Sequence, residues 1–206
     1  MKTYIRSIQF LQKFSLGISL LILLILPLVI VFYPDSLSEQ TTLRLYDLSH
    51  ITVFFVMIIR PLADIFTRST KIRPLVILRK GVGVLSASIV VSFILAKIIM
   101  DSSVYFGSLF TSEYWSFENL AILAHLGDLS AILLIVTSNN LSKRMLGAWW
   151  KRIQRLSYVY FYASSLYVLF IFHNYSVLLS MIIVTILTYV AYTKNKKRKA
   201  LIIQTS

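Results

Sequence analysis

The stretch LGISLLILLILPLVIVFY, residues 16–33, decides the fold class. A helix crossing ~30 Å of hydrocarbon needs ~20 mostly apolar residues, and this stretch supplies them. No small-residue cleavage pattern follows it, so it reads as a retained span and not as a signal peptide. Working outward, five more segments of the same kind follow. The six spans run about 15–33, 48–67, 81–100, 120–138, 153–172 and 176–192. Composition agrees: 57% of the 206 residues are hydrophobic and only 14% charged, with a mean hydropathy of +0.77. A soluble domain of this length would need more polar surface than that. The expectation is an all-α integral membrane protein, a single six-helix bundle over 1–206 in contact with the lipid bilayer.

Charge sets the expected orientation. Lys2, Arg6 and Lys13 precede the first span, and Arg68, Lys71, Arg73, Arg79 and Lys80 separate the second from the third. Lys143, Arg144, Lys151 and Arg152 separate the fourth from the fifth, and Lys194, Lys196, Lys197, Arg198 and Lys199 follow the sixth. The intervening loops carry Asp35, Glu39, Asp47, Asp101, Glu113 and Glu118, with Arg44 as their one clear base. Lys and Arg collect on the cytoplasmic side of membrane proteins. Both termini are therefore expected in the cytoplasm, in a cell membrane.

The net charge of +13 follows this loop pattern and comes with no nucleic-acid recognition motif. No nucleic-acid partner is expected. The absence of cysteine excludes disulfides, thiolate metal sites and cysteine nucleophiles. Gly81 and Gly83 open a membrane helix with no third glycine, so they make no dinucleotide fingerprint. No catalytic motif stands out.

Ionisable groups inside hydrocarbon are costly and each needs an explanation. Arg60 and Asp64, four apart, can pair on one helix face. A buried structural pair is the expectation, with a proton relay or small transporter as the other reading. Lys97 can snorkel from the outer end of the third span. His125 and Asp128, three apart, share a face, and the carboxylate can orient the imidazole towards a metal or haem. His50, His125 and His173 all fall towards the outer face. They can supply ligands to one haem or be scattered interfacial and core histidines. No metal site is expected. Ser86, Ser88 and Ser92 let helices approach closely. Gln154, Ser157, Tyr158, Ser164, Ser165 and Tyr167 read as packing and interhelical hydrogen bonds. Between Ser102 and Asn119, the aromatic loop with Tyr105, Phe106, Phe110, Tyr114, Trp115 and Phe117 reads as an interfacial belt or a short re-entrant helix.

Two basic junctions resemble a known family. They are Arg73-Pro74-Leu75-Val76-Ile77-Leu78-Arg79-Lys80-Gly81-Val82-Gly83, and Thr137-Ser138-Asn139-Asn140 with the run from Leu146 through Trp149-Trp150-Lys151-Arg152-Ile153-Gln154-Arg155-Leu156-Ser157 to Tyr158. Both are similar to junctions of the ferric reductase-like transmembrane family, nearest to the membrane haem subunit of the bacterial methionine sulfoxide reductase system. The resemblance spans helices two to five. It implies a bundle that holds b-type haem (haem b) on histidines of the third and fifth helices. Electrons would pass to a separate redox or extracytoplasmic protein partner.

At the matched positions this sequence has Gln154, Tyr167 and Ser92 or Phe93. Gln154 and Tyr167 are expected about 20 Å apart on one helix. The resemblance thus implies a divergent member without the usual haem, acting as a binding or assembly subunit. The alternative is an electron-transfer subunit with haem on His50, His125 or His173.

Overall fold

A computed structural model describes residues 2–116 and 120–205, and every described element is helical. Phe117 and Glu118, read above as part of the aromatic loop and of the acidic set, lie outside the described residues. Nine α-helices follow in order: α1 Lys2–Phe32, α2 Glu39–Ile65, α3 Leu78–Met100, α4 Ser102–Ser108, α5 Ala121–Thr137, α6 Asn140–Leu146, α7 Ala148–Ile153, α8 Leu156–Phe172 and α9 Tyr175–Thr205. Short 3-10 turns lie at Pro34–Ser36, Arg73–Ile77 and Glu113–Trp115.

Among the described residues, four helices are long and apolar enough to cross a membrane, and five if the bent pair α5–α6 counts as one span. They are α1, α2, α3 with its leading turn, and α9. Their outward faces stay apolar: Leu20 is 58% exposed, Leu24 59% and Ile186 56%. Such a surface in water would draw chains together. Against lipid tails it needs no cover, so a membrane setting accounts for it.

The packing is a ring with two outriders. α2, α3, α5 and α8 close on one another, α1 leans on α3, and α9 lies against α2 and α8. The centre holds Val53, Met57, Val91, Ala131, Tyr160 and Phe161. Without a hydrophobic drive between helices in lipid, close van der Waals contact and hydrogen bonds must hold them. Small residues provide that contact. A Cβ at Gly81 would sit 2.8 Å from the Gln12 carbonyl oxygen, so α1 crosses α3 backbone on backbone. Ser92 Oγ donates to the Ile22 carbonyl of α1 at 3.2 Å.

Several helices extend beyond or stop short of the expected spans. α1 starts at Lys2, and Tyr4 ties its polar first turns down by donating to the Lys71 carbonyl at 2.9 Å. α2 starts at Glu39, capped by the Ser38 hydroxyl accepting from the Thr41 amide at 3.2 Å. The aromatic loop contains the short helix α4, capped by Asp101 accepting from the Val104 amide at 2.9 Å. The expected fifth span breaks into α7 and α8, and Gln154 sits in the turn between them. Gln154 and Tyr167 therefore do not share one continuous helix.

The bend between α5 and α6 measures 96° and has an identifiable cause. The last carbonyls of a helix lack intrahelical partners. Here side chains take them. Thr137 Oγ1 donates to Leu133 O at 2.6 Å, and Ser138 Oγ donates to Leu134 O. Val136 O accepts from Asn139 Nδ2 at 2.9 Å and from Ser142 Oγ at 2.8 Å. Trp150 Nε1 donates to Thr137 O at 2.9 Å. Asn139 also opens α6 by accepting from the Ser142 amide at 2.7 Å. The Thr-Ser-Asn-Asn and Trp-Trp motif is a helix-termination device here. Gly147, with φ of +50°, then turns the chain from α6 into α7 in a conformation that favours glycine.

Candidate functional site

The polar residues sort into a sealed knot and two cavities. The knot joins α2, α3 and α8. Ser49 Oγ donates to Ser86 O at 3.0 Å and Ser86 Oγ donates to Ser49 O at 2.8 Å. The Tyr160 hydroxyl lies 2.9 Å from Ser49 Oγ and 3.0 Å from Ser86 Oγ. All three side chains are buried. In a low-dielectric interior a satisfied network of this kind fixes helix register. Ser86 read as a packing residue from sequence. Ser49 and Tyr160 belong to no motif, so nothing in the sequence marks them.

A cavity of ≈530 Å³ opens at the end that carries the basic loops. Its deep wall is apolar, with Val53, Ala87, Leu134 and Tyr160 reaching the core cluster. Its mouth carries Arg60, Arg79, Lys80, Lys143 and Lys151, with Asn139, Asn140 and Gln154 between them. The Arg79 Nε is sealed from solvent and has no hydrogen-bond partner. Lys143 Nζ stands 5.4 Å from the centre of the Trp150 ring, which holds the ammonium beside the mouth.

The ion pair expected between Arg60 and Asp64 forms, with Nε 3.1 Å from Oδ2. It is not a buried pair, however: the Arg60 side chain is 56% exposed and that of Asp64 24%. Both groups lie near the last turn of α2, where the guanidinium reaches the mouth of the cavity. Asp64 is further engaged by α9, accepting from Asn195 Nδ2 at 3.3 Å, while its carbonyl accepts from Arg198 Nη1 at 3.2 Å.

The second cavity, of ≈320 Å³, lies at the far end. Lys97, Asp101, Tyr105, His125 and Asp128 line it. It brings His125 and Asp128 together, as their spacing suggests, and adds Lys97. The His125 ring meets Trp115 edge-on at 6.1 Å. The other two histidines are elsewhere. His50 stacks on Phe161 at 5.7 Å and its Nε2 lies 3.3 Å from Ser180 Oγ. His173 is exposed and ends α8 with φ of 52°. His50 and His173 do not line the cavity that holds His125, and no group of three metal-ligating residues forms among the described residues.

A bis-imidazole haem does not fit the matched positions. Gln154 Nε2 donates to Thr137 Oγ1 at 3.2 Å. Ser92 bonds to the backbone of α1 and of its own helix. Phe93 stacks on Tyr46 at 4.8 Å. These side chains and Tyr167 provide no imidazole, and Gln154, Ser92 and Phe93 are spent on contacts with other segments.

No protein-family model, no curated protein and no solved structure matches the chain.

Proposed function

We propose that this chain is a divergent ferric reductase-like membrane subunit that works by binding, as an assembly or regulatory partner, without haem at the family's usual positions. One observation carries the reading: Gln154, Ser92 and Phe93 are committed to contacts with other segments of the chain. A position used in this way is free of the demand to hold iron. Six spans with both termini in the cytoplasm belong to the same proposal. Beyond the long helices, α5 and α8 have 17 residues each. At 1.5 Å per residue each is about 25 Å long, near the lower limit for a span.

The visible spectrum of the purified, detergent-solubilised protein tests the haem reading. Oxidised and then reduced, it is expected to lack the sharp α band of six-coordinate b-type haem. A band lost in His125→Ala or His173→Ala would instead favour electron transfer through relocated haem. Reporter fusions test the topology. Those after Ser69, Ser142 and Thr205 are expected to read cytoplasmic, and those after Ser38 and Ser112 external; one on the wrong side overturns the span count.

A further inference from the structure

We propose that the cavity at the basic end binds the phosphate headgroup of an anionic membrane amphiphile, with the chain lying along the apolar wall formed by α2, α3 and α5. Five cations line this cavity and, among the described residues, no carboxylate does. Asp64 neutralises Arg60 from outside. Four positive charges remain around one space. Cytoplasmic cations that only orient a membrane protein stay in water and need no burial. Arg79 departs from that pattern: its side chain is part-buried along the cavity wall, and its Nε has no hydrogen-bond partner. A charged donor drawn part-way out of water without a partner is costly.

Placement adds to the case. Arg79 and Lys80 occupy the first turn of α3, which has no acidic residue and no side-chain cap. Cations there oppose the positive end of the helix dipole. An anion between them relieves both repulsions.

The chemistry of the anion follows from the donors. A guanidinium fork grips two oxygens and lysines add point charge, a combination that suits phosphate. Basic pockets between membrane helices on the cytoplasmic side are a recurring setting for anionic headgroups. The wall beyond the cations is formed by valines, an alanine and a leucine that reach the core. It favours a ligand with an apolar chain over free phosphate. This inference rests on the membrane placement of the helices and not on the haem reading, so the two can fail separately.

The test is a binding titration on the full-length protein in detergent. The probes are dioleoyl phosphatidylglycerol, dioleoyl phosphatidylcholine and inorganic phosphate, followed by thermal shift and native mass spectrometry. Phosphatidylglycerol is expected to bind at least about tenfold tighter than phosphatidylcholine. Arg79→Gln, and separately Lys143→Gln with Lys151→Gln, should each remove that preference. Lys2→Gln with Arg6→Gln, equal in charge but outside the cavity, should retain it. If Arg79→Gln fails to fold, the double variant on α6 and α7 decides, because those helices carry no buried residue. Equal binding of the two lipids, or cavity variants that bind like the wild type, overturns the proposal. Inorganic phosphate protecting as well as the lipid overturns the amphiphile.

Discussion

The two ends of the bundle solve the same problem in opposite ways. At the far end, Lys97 shares a cavity with Asp101 and Asp128. At the basic end, five cations share a cavity with no carboxylate among the described residues. Charges removed from water must be paired or relieved. The far cavity holds both signs within its own walls. The basic cavity does not: four of its five cations stay exposed, and only Arg79 is part-buried. The two cavities are separated along α3 by the step of seven positions from Ala87 to Ile94, about 10 Å of helix. The layer between includes Ile89, Ala131 and Phe161, each 0% exposed. Two electrostatically different ends can coexist because the middle is sealed.

The largest expected effect comes from breaking that seal. The knot of Ser49, Ser86 and Tyr160 lies where the basic cavity meets that layer, with Tyr160 in the cavity wall. Tyr160→Phe removes one hydroxyl with two partners, while the serines keep their reciprocal bonds to each other's carbonyls. The expected loss is about 1–2 kcal/mol, read by unfolding in mixed micelles. Ser49→Ala in the Tyr160→Phe background should cost less than Ser49→Ala alone, because the two share a network. An unchanged Tyr160→Phe protein would mean the knot fixes nothing.

A smaller effect sharpens the contrast at the basic end. The half-open pair Arg60–Asp64 sits where water reaches it. Exposed pairs contribute about 0.2–1 kcal/mol. A double-mutant cycle with Arg60→Ala and Asp64→Ala should return a coupling in that range. A coupling of several kcal/mol, as for a charge stranded in low dielectric, would show that the pair is buried after all. Asp64→Ala alone should also loosen the end of α9, since Asn195 bonds to the same carboxylate.

What the sequence made legible was the all-helical fold and the long apolar helices within it. These follow from composition over ~20 residues, and composition survives any packing. The spacing of His125 and Asp128 likewise placed them at one cavity. The rest depended on contacts between distant segments. Nothing local marks Tyr160 as the partner of Ser49, which lies 111 residues away. Arg79 looked like one more orientation charge until the packing of α3 against its neighbours enclosed it. Gln154 looked like a residue inside a span, because the break after α7 needs neither glycine nor proline. The carbonyls capped around Val136 and the Gly147 turn set that geometry upstream.

The smallest predicted effect belongs to the far end. Asp101 caps α4, and its carboxylate accepts from the Val104 amide at 2.9 Å and from the Ser103 hydroxyl at 2.8 Å. These bonds, the Val104 amide first, hold its carboxyl below the usual carboxylate range. A group depressed in the folded state stabilises above its unfolded pKa, and that contribution is lost as the pH falls through the folded value. The cap should therefore hold at neutral pH and release only in acid, below the ordinary aspartate range. Hydrogen exchange at the first amides of α4, followed from pH 7 downward after correction for intrinsic rates, should show protection falling there. In Asp101→Asn the amide oxygen still caps, and the protection should become nearly independent of pH. His125 and Asp128 line the same cavity, so a change that persists in Asp101→Asn would belong to one of them. Such persistence would mean that the balance of the far end is set inside the cavity and not at its rim.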